Sequence, residues 1–169
     1  MFLRIYRPED KRQLQQLFFD TVHTINARDY TPEQLAALAP TEPDRLHWSR
    51  LDDQFCFVVE CQKMPVGFVS LWPEGILDFL YVHPHFQGKG IATALCKQVE
   101  RLARKHNFST IQTVTGITAR SFFERKGFIL LAETCQMLRG VEFRHYKMEK
   151  LLQPQSTALH LGQVQKQAG

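Results

Sequence analysis

Two short stretches carry residues whose types and spacing suit chemistry. The run "YVHPHFQGKGIATAL", Tyr81–Leu95, feeds a strand-like segment into a helix-like one through two glycines. A helix start offers unbonded backbone N–H groups and the positive end of its dipole, which suit a phosphate or pyrophosphate. Gly88 and Gly90 lack a Cβ, so a ligand can lie against the backbone there. The alternative is that the pair only shapes a turn. The run has neither the GxGxxG of a dinucleotide fold nor the GK[ST] of a P-loop. The second stretch is "ILDFLYV", Ile76–Val82, where Asp78 stands in an apolar strand. A carboxylate there is costly without a partner or a purpose, so it reads as a general base or as a structural bond to nearby backbone. Alternation places it on the face of Ile76, Leu80 and Val82. His83 and His85 flank Pro84 with no third ligand, and no metal site is expected.

These stretches need elements to position them. Phe2–Arg7 reads as a strand, and Leu14, Leu17, Phe18, Thr21, Val22 and Ile25 recur at helical spacing. "TPEQ", Thr31–Gln34, is a capping box with proline at the first helical position, so a second helix starts there and stops near Pro40. A third short helix is expected around Asp44–Leu51. Phe55–Cys61 and Val66–Trp72 form a hairpin through "QKMP", and Ile76–Val82 is the next strand. Gly90–His106 returns to helical spacing, with Ile91, Leu95, Val99, Leu102 and Ala103 as its buried stripe. Thr110–Thr115 reads as a strand, Ala119–Lys126 as a short helix ended by Gly127, and Phe128–Leu138 and Val141–Leu151 as a final strand pair. The order describes a single α+β domain on a mixed sheet over residues 1–152, with a Gln- and Gly-rich tail from residue 153 expected to be disordered.

Composition narrows the partners. The chain has 169 residues, is 44% apolar and carries a net charge of +4. Its basic residues are scattered, which argues against a nucleic-acid partner. Cys56, Cys61, Cys96 and Cys135 form no CxxC pair and lie in apolar segments, so they read as reduced, buried thiols. Charge from the fourth residue onward argues against a signal peptide, and no apolar run approaches a membrane span. A cytoplasmic, membrane-free protein is expected.

"LDFLYVHPHFQGKGIATAL" resembles motif A of the GNAT superfamily, the acyl-CoA-dependent N-acetyltransferases. That signature is Gln or Arg, two residues, Gly, one residue, then Gly or Ala, matched by Gln87, Gly90 and Ala92. "TARSFFERKGF", Thr118–Phe128, resembles motif B, a helix ending in Gly-Phe. "RIYRPEDKRQL", "RDYTPEQL" and "RGVEFRHYKMEKLL" are similar to the YafP-like bacterial branch, so the likeness covers residues 1–150.

The resemblance implies a mostly antiparallel GNAT-type sheet flanked by helices. It implies acetyl-CoA as cosubstrate, its pyrophosphate held by the amides of Gln87, Gly88, Lys89, Gly90, Ile91, Ala92 and Thr93. Lys89 either adds charge toward phosphate or is a solvated loop lysine. The backbone of Leu80, Tyr81 and Val82 would pair with the pantetheine arm by strand addition, and Phe122 would flank it. Asp78 sits one same-face step from the family's usual glutamate position. Small-molecule or protein amines are the implied acceptors, bound by the N-terminal helices, where His23, Asn26, Tyr30 and Trp48 are available. Phe123 departs from the family: many members place a tyrosine there as general acid toward the leaving thiolate. Two readings follow, an N-acetyltransferase acting by direct attack in a ternary complex and a non-catalytic acyl-CoA-binding regulator.

Overall fold

In the computed structural model, residues 1–42 and 47–152 are described. They form a seven-stranded sheet in the order β1-β2-β3-β4-β5-β7-β6. Its strands are β1 (Phe2–Ile5), β2 (Phe55–Cys61), β3 (Met64–Leu71), β4 (Ile76–Val82), β5 (Thr110–Thr115), β6 (Ile129–Leu138) and β7 (Val141–Leu151). All neighbouring pairs are antiparallel except β4 and β5. Helices α1 (Lys11–Thr24) and α2 (Pro32–Leu38) cover one face, and α3 (Ile91–Lys105) and α4 (Ile117–Arg125) the other.

Each face has its own core. Between the sheet and α1 and α2 lie Leu14, Phe18, Val22, Trp48, Val58, Phe68 and Phe79. Between the sheet and α3 and α4 lie Val66, Val69, Leu71, Leu95, Val99, Ile111, Phe123 and Met148. The expected stripe of α3 is the observed one, with Cys96 added and Leu102 half-buried. The capping box at Thr31 and Gln34 forms reciprocally at the start of α2. The β2–β3 hairpin turns at Gln62 and Lys63, both with positive φ, which matches the twist of a tight hairpin.

Three expectations need correction. The expected third α-helix appears as a 3-10 segment, Trp48–Asp53, while the Asp44–Leu46 part of that expectation and the tail 153–169 lie outside the described residues. Only Cys56 and Cys96 are buried; Cys61 is half-buried and Cys135 is exposed on β6. Cys135 stands out because β6 is an edge strand lined almost wholly by exposed side chains. Burial pushes the Cys96 thiol up to about 11 and the Cys56 thiol up to about 12. The third correction concerns Asp78. β4 carries a bulge: Ser70 pairs with Phe79 but Leu71 pairs with Leu77, which leaves Asp78 as the extra residue. The bulge breaks the alternation, so Asp78 meets Arg50 and Gln54 on the α1 side, while Leu80 and Val82 pack toward α3.

One ion pair anchors β1 to the start of α1. Arg4 grips both carboxylate oxygens of buried Asp10, at 2.7 and 2.8 Å, and also meets Glu60 at 2.7 Å. Burial pushes the Asp10 carboxyl up, but hydrogen bonds from Arg4 and the Arg7 amide outweigh it and hold it below the usual carboxylate range. A depressed carboxyl stabilises the fold fully above its unfolded value of about 3.9 and loses that contribution as pH falls through the folded value. Arg4→Met, which strands the buried carboxylate, is therefore expected to lower stability by about 3 kcal/mol at pH 7. In urea titrations the gap between parent and variant should narrow below about pH 4.

Candidate active site

The site grows out of a split in the sheet. β4 and β5 are hydrogen-bonding partners only at Ile76–Gln112 and Leu77–Thr113. Beyond Leu77 the two strands part, and β4 keeps an unpaired edge through Leu80 and Tyr81. Val82 is already engaged: its carbonyl accepts from the side chains of Gln87 and Thr21. That bond from Gln87 ties the glycine loop back to the strand it leaves.

Between Gln87 and α3 the chain turns through Gly88 and Gly90, with φ of +72° and +78°. Side chains rarely adopt that conformation. A Cβ built on either glycine meets nothing within 4 Å, so the glycines face open space rather than packed protein. The first helical bond of α3 runs from Ala94 N–H to the Gly90 carbonyl. Ile91, Ala92 and Thr93 therefore present amides without intrahelical acceptors. This is a cradle suited to a doubly charged group such as a pyrophosphate. Lys89 folds over the Phe86 ring at 4.6 Å instead of lining the cavity.

A cavity of about 650 Å³ joins this cradle to the split. Gln87, Gly88, Gly90 and the first turn of α3, Ile91 to Thr93, bound one end. Leu80, Tyr81 and Val82 form one wall and Phe122 of α4 lies in the opposite one. Asp78, near the start of β4, lies away from the cradle along that strand, and Asn26 and Tyr30 also line the cavity. The structure thus brings together most of the residues that the sequence singled out. It does not bring His23 or Trp48. The His23 ring bonds the Ala39 carbonyl at 2.8 Å and packs on Phe19, which ties α1 to the end of α2. Trp48 is 3% exposed and stacks on Phe79, inside the core.

Asp78 has structural partners and an open oxygen. Its Oδ2 accepts from Gln54 Nε2 at 2.8 Å and lies 3.1 Å from Arg50 Nε. The Arg50 contact is an ion pair without hydrogen-bond alignment, for that Nε has no bonded partner. The Arg50 guanidinium is fixed instead by stacking on Phe79, 4.5 Å from its centroid. Oδ1 has no protein partner among the described residues.

Tyr30 is held by an unusual neighbour. Its hydroxyl accepts the Ile117 amide at 3.3 Å, so it stands in for a capping side chain at the start of α4. That approach requires Gly116, because a Cβ there would overlap the Tyr30 hydroxyl. Burial raises the phenol, against the smaller opposing effect of the Ile117 amide, so Tyr30 keeps its proton at neutral pH. Half-buried Tyr81, packed edge-on against Phe18 at 4.7 Å, has its phenol raised for the same reason.

Sequence reasoning missed three residues here. Arg50 and Gln54 lie in "SRLDDQ", a polar segment with no periodic signal, and their role depends on the β4 bulge. His145, on β7, lines the cavity beside Phe143; in the sequence it is one of many polar residues in an alternating strand. Among the described residues no group of His, Cys, Asp and Glu side chains could hold a metal ion, and no helix is long and apolar enough to cross a membrane.

The chain is similar to known proteins. A family model described as the acetyltransferase (GNAT) domain matches residues 26–150. An uncharacterized N-acetyltransferase of Escherichia coli, YafP, is 31% identical over 147 residues, covering 86% of this chain and 93% of that one. The crystal structure of a GCN5-related N-acetyltransferase from Rhodopseudomonas palustris superposes with a TM-score of 0.85 at 30% identity, over 89% of this chain and 95% of the other. The PaiA N-acetyltransferase of Thermoplasma acidophilum, solved in complex with coenzyme A, has the same fold at 19% identity, with a TM-score of 0.68 over 89% and 99% of the two chains.

Proposed function

Because the chain belongs to the GNAT acetyltransferase family, we propose that it moves an acetyl group from acetyl-CoA to an amine by direct attack in a ternary complex. The observation that carries this reading is the continuous cavity. It runs from a glycine cradle fit for a pyrophosphate, along an open strand edge fit for an amide-rich arm, to a polar end with a carboxylate. Coenzyme A has that sequence of groups, and a thioester at its tip would reach the end where Asp78 stands.

The residues divide the work. The amides of Gly88 to Thr93 hold the pyrophosphate, while Leu80 and Tyr81 pair with the pantetheine amides on the free edge. Asp78 receives the acceptor's ammonium and takes its proton on Oδ1, directly or through water. An amine with a pKa of about 10.4 is neutral roughly once in 10³ at pH 7, a penalty of about 4–5 kcal/mol that a placed base offsets. As the N–C bond forms and the C–S bond breaks, the sulfur departs as a thiolate and the nitrogen sheds its second proton, which water carries to the sulfur or to solvent. With a conjugate acid near about 8.5, by analogy with cysteine, the thiolate's protonation at pH 7 is favourable by only about 2 kcal/mol. Water suffices for that.

Phe123 supports the second reading, a regulator that binds acyl-CoA without chemistry. It is 2% exposed and packs its ring against Phe128, with no hydroxyl to offer. The magnitudes above argue that the absent acid slows the reaction rather than stopping it. Incubation with acetyl-CoA and a panel of amines, following free thiol, separates the two. Release of thiol by the parent is expected, with at most a modest gain for Phe123→Tyr. Thiol release by Phe123→Tyr alone would establish the regulator reading instead.

A further inference from the structure

The acceptor end of the cavity has a chemical bias that bears on which amine it takes. Its donors are oriented and its carboxylate is already partnered. Tyr30 accepts the Ile117 amide through its oxygen, and burial keeps its proton in place. No acceptor takes that proton among the described residues, so the O–H is available to a ligand. His145 stacks on Phe143, the two rings nearly parallel with centroids 6.0 Å apart, and Tyr30 packs on the same Phe143 ring at 5.7 Å. The Nδ1 of His145 is buried and has no hydrogen-bond partner. A proton on that nitrogen would be an orphaned buried donor, which proteins avoid more strictly than an unused acceptor. The favoured tautomer therefore carries its hydrogen on Nε2, and burial lowers the ring's affinity for a second proton. A neutral N–H donor and a neutral O–H donor, on two side chains that both pack on Phe143, then line the cavity.

The charges point the same way. Asp78 is the one carboxylate lining the cavity among the described residues, and Arg50 is 3.1 Å from it. At the rim Asp29 accepts from Thr118 at 2.7 Å and has Arg28 at 3.7 Å. Arg28, Arg125 and Lys126 line the same cavity. Among the described residues lining the cavity, an acceptor with several ammonium groups would find no second carboxylate for its second charge.

Resting on the transferase reading, we propose that the acceptor is a small amine that also bears a hydrogen-bond-accepting oxygen, a carboxylate or a carbonyl, bound by Tyr30 O–H and His145 Nε2–H. Both are acceptor-binding residues in this proposal, and Asp78 remains the proton acceptor. Polyamines and simple alkylamines are then poor substrates.

The test uses matched triplets built on several amino-acid side chains: the amino acid, its primary amide, and the decarboxylated amine. Spermidine serves as the polycation. Thiol release gives kcat/KM, and calorimetry with coenzyme A present gives acceptor binding without turnover. In at least one triplet the oxygen-bearing members should exceed the decarboxylated amine by about tenfold or more. Preference for the amino acid identifies a carboxylate, and equal preference for its amide a carbonyl. His145→Phe, which keeps the ring and removes the donor, should erase the preference through KM, and His145→Gln should restore part of it. If the decarboxylated amines or spermidine do as well as the oxygen-bearing members, or if no triplet member binds, the proposal is overturned. A preference unchanged in both His145→Phe and Tyr30→Phe overturns the assignment as well. Selective binding without thiol release would sink the transferase reading and leave oxygen recognition standing, whereas thiol release without selectivity would do the reverse.

Discussion

Gly90→Ala is expected to weaken coenzyme A binding by about 10²-fold or more, equivalent to about 2.8 kcal/mol at 1.4 kcal/mol per decade. The methyl group meets no protein atom within 4 Å, so any obstruction it causes falls on a ligand lying against the loop. A positive φ complicates the experiment, because an alanine there costs about 1–2 kcal/mol in any protein. Gly140 supplies the control. It has a φ of +80°, equally open surroundings, and a place in the β6–β7 turn away from the cavity. Gly140→Ala should lower the unfolding temperature about as much as Gly90→Ala while leaving coenzyme A affinity at the parent value. Calorimetric titration of all three proteins checks this, and equal affinity for parent and Gly90→Ala would move the pyrophosphate elsewhere.

Asp78→Asn carries the second large expectation, a fall in kcat/KM of about 10²–10⁴-fold, the range of general-base loss. The substitution keeps the shape and a partner for Gln54, but leaves Arg50 facing a neutral amide. Activity should recover in part at high pH, where the free amine grows tenfold per unit up to its own pKa. The parent should show a shallower rise over the same range. A small loss, constant with pH, would assign Asp78 the structural task of holding Arg50 and Gln54.

The glycine cradle and the elements around it were legible because their signals are local. A capping box, a 3.6-residue stripe and glycines before a helix depend on neighbours a few positions away. Asp78 was legible by type and not by direction, since one inserted residue in β4 reverses the face that alternation assigns. His23 and Trp48 show the limit from the other side. Each is polar or amphipathic and sits in the right segment, but the carbonyl of Ala39 and the ring of Phe79 claim them through contacts distant in sequence. His145 could be found only once β7 was seen to border the cavity.

The narrow join between β4 and β5 has a mechanical consequence. β1 to β4 form one laminate and β5, β7 and β6 another, and the seam between them holds two residue pairs, the bond from Gln112 N–H to the Gly75 carbonyl and the bond from Thr113 Oγ1 to the Leu77 carbonyl. Six residue pairs join β5 to β7 by comparison. Amides that point to the open edge need no opening to exchange with solvent hydrogen, whereas those bonded across the seam exchange through small local openings rather than through global unfolding. A ligand lying along that edge bridges the two laminates as an extra strand. Its binding free energy is then also adhesion between the halves, and heat resistance rises with ligand concentration as RT ln(1 + [L]/Kd).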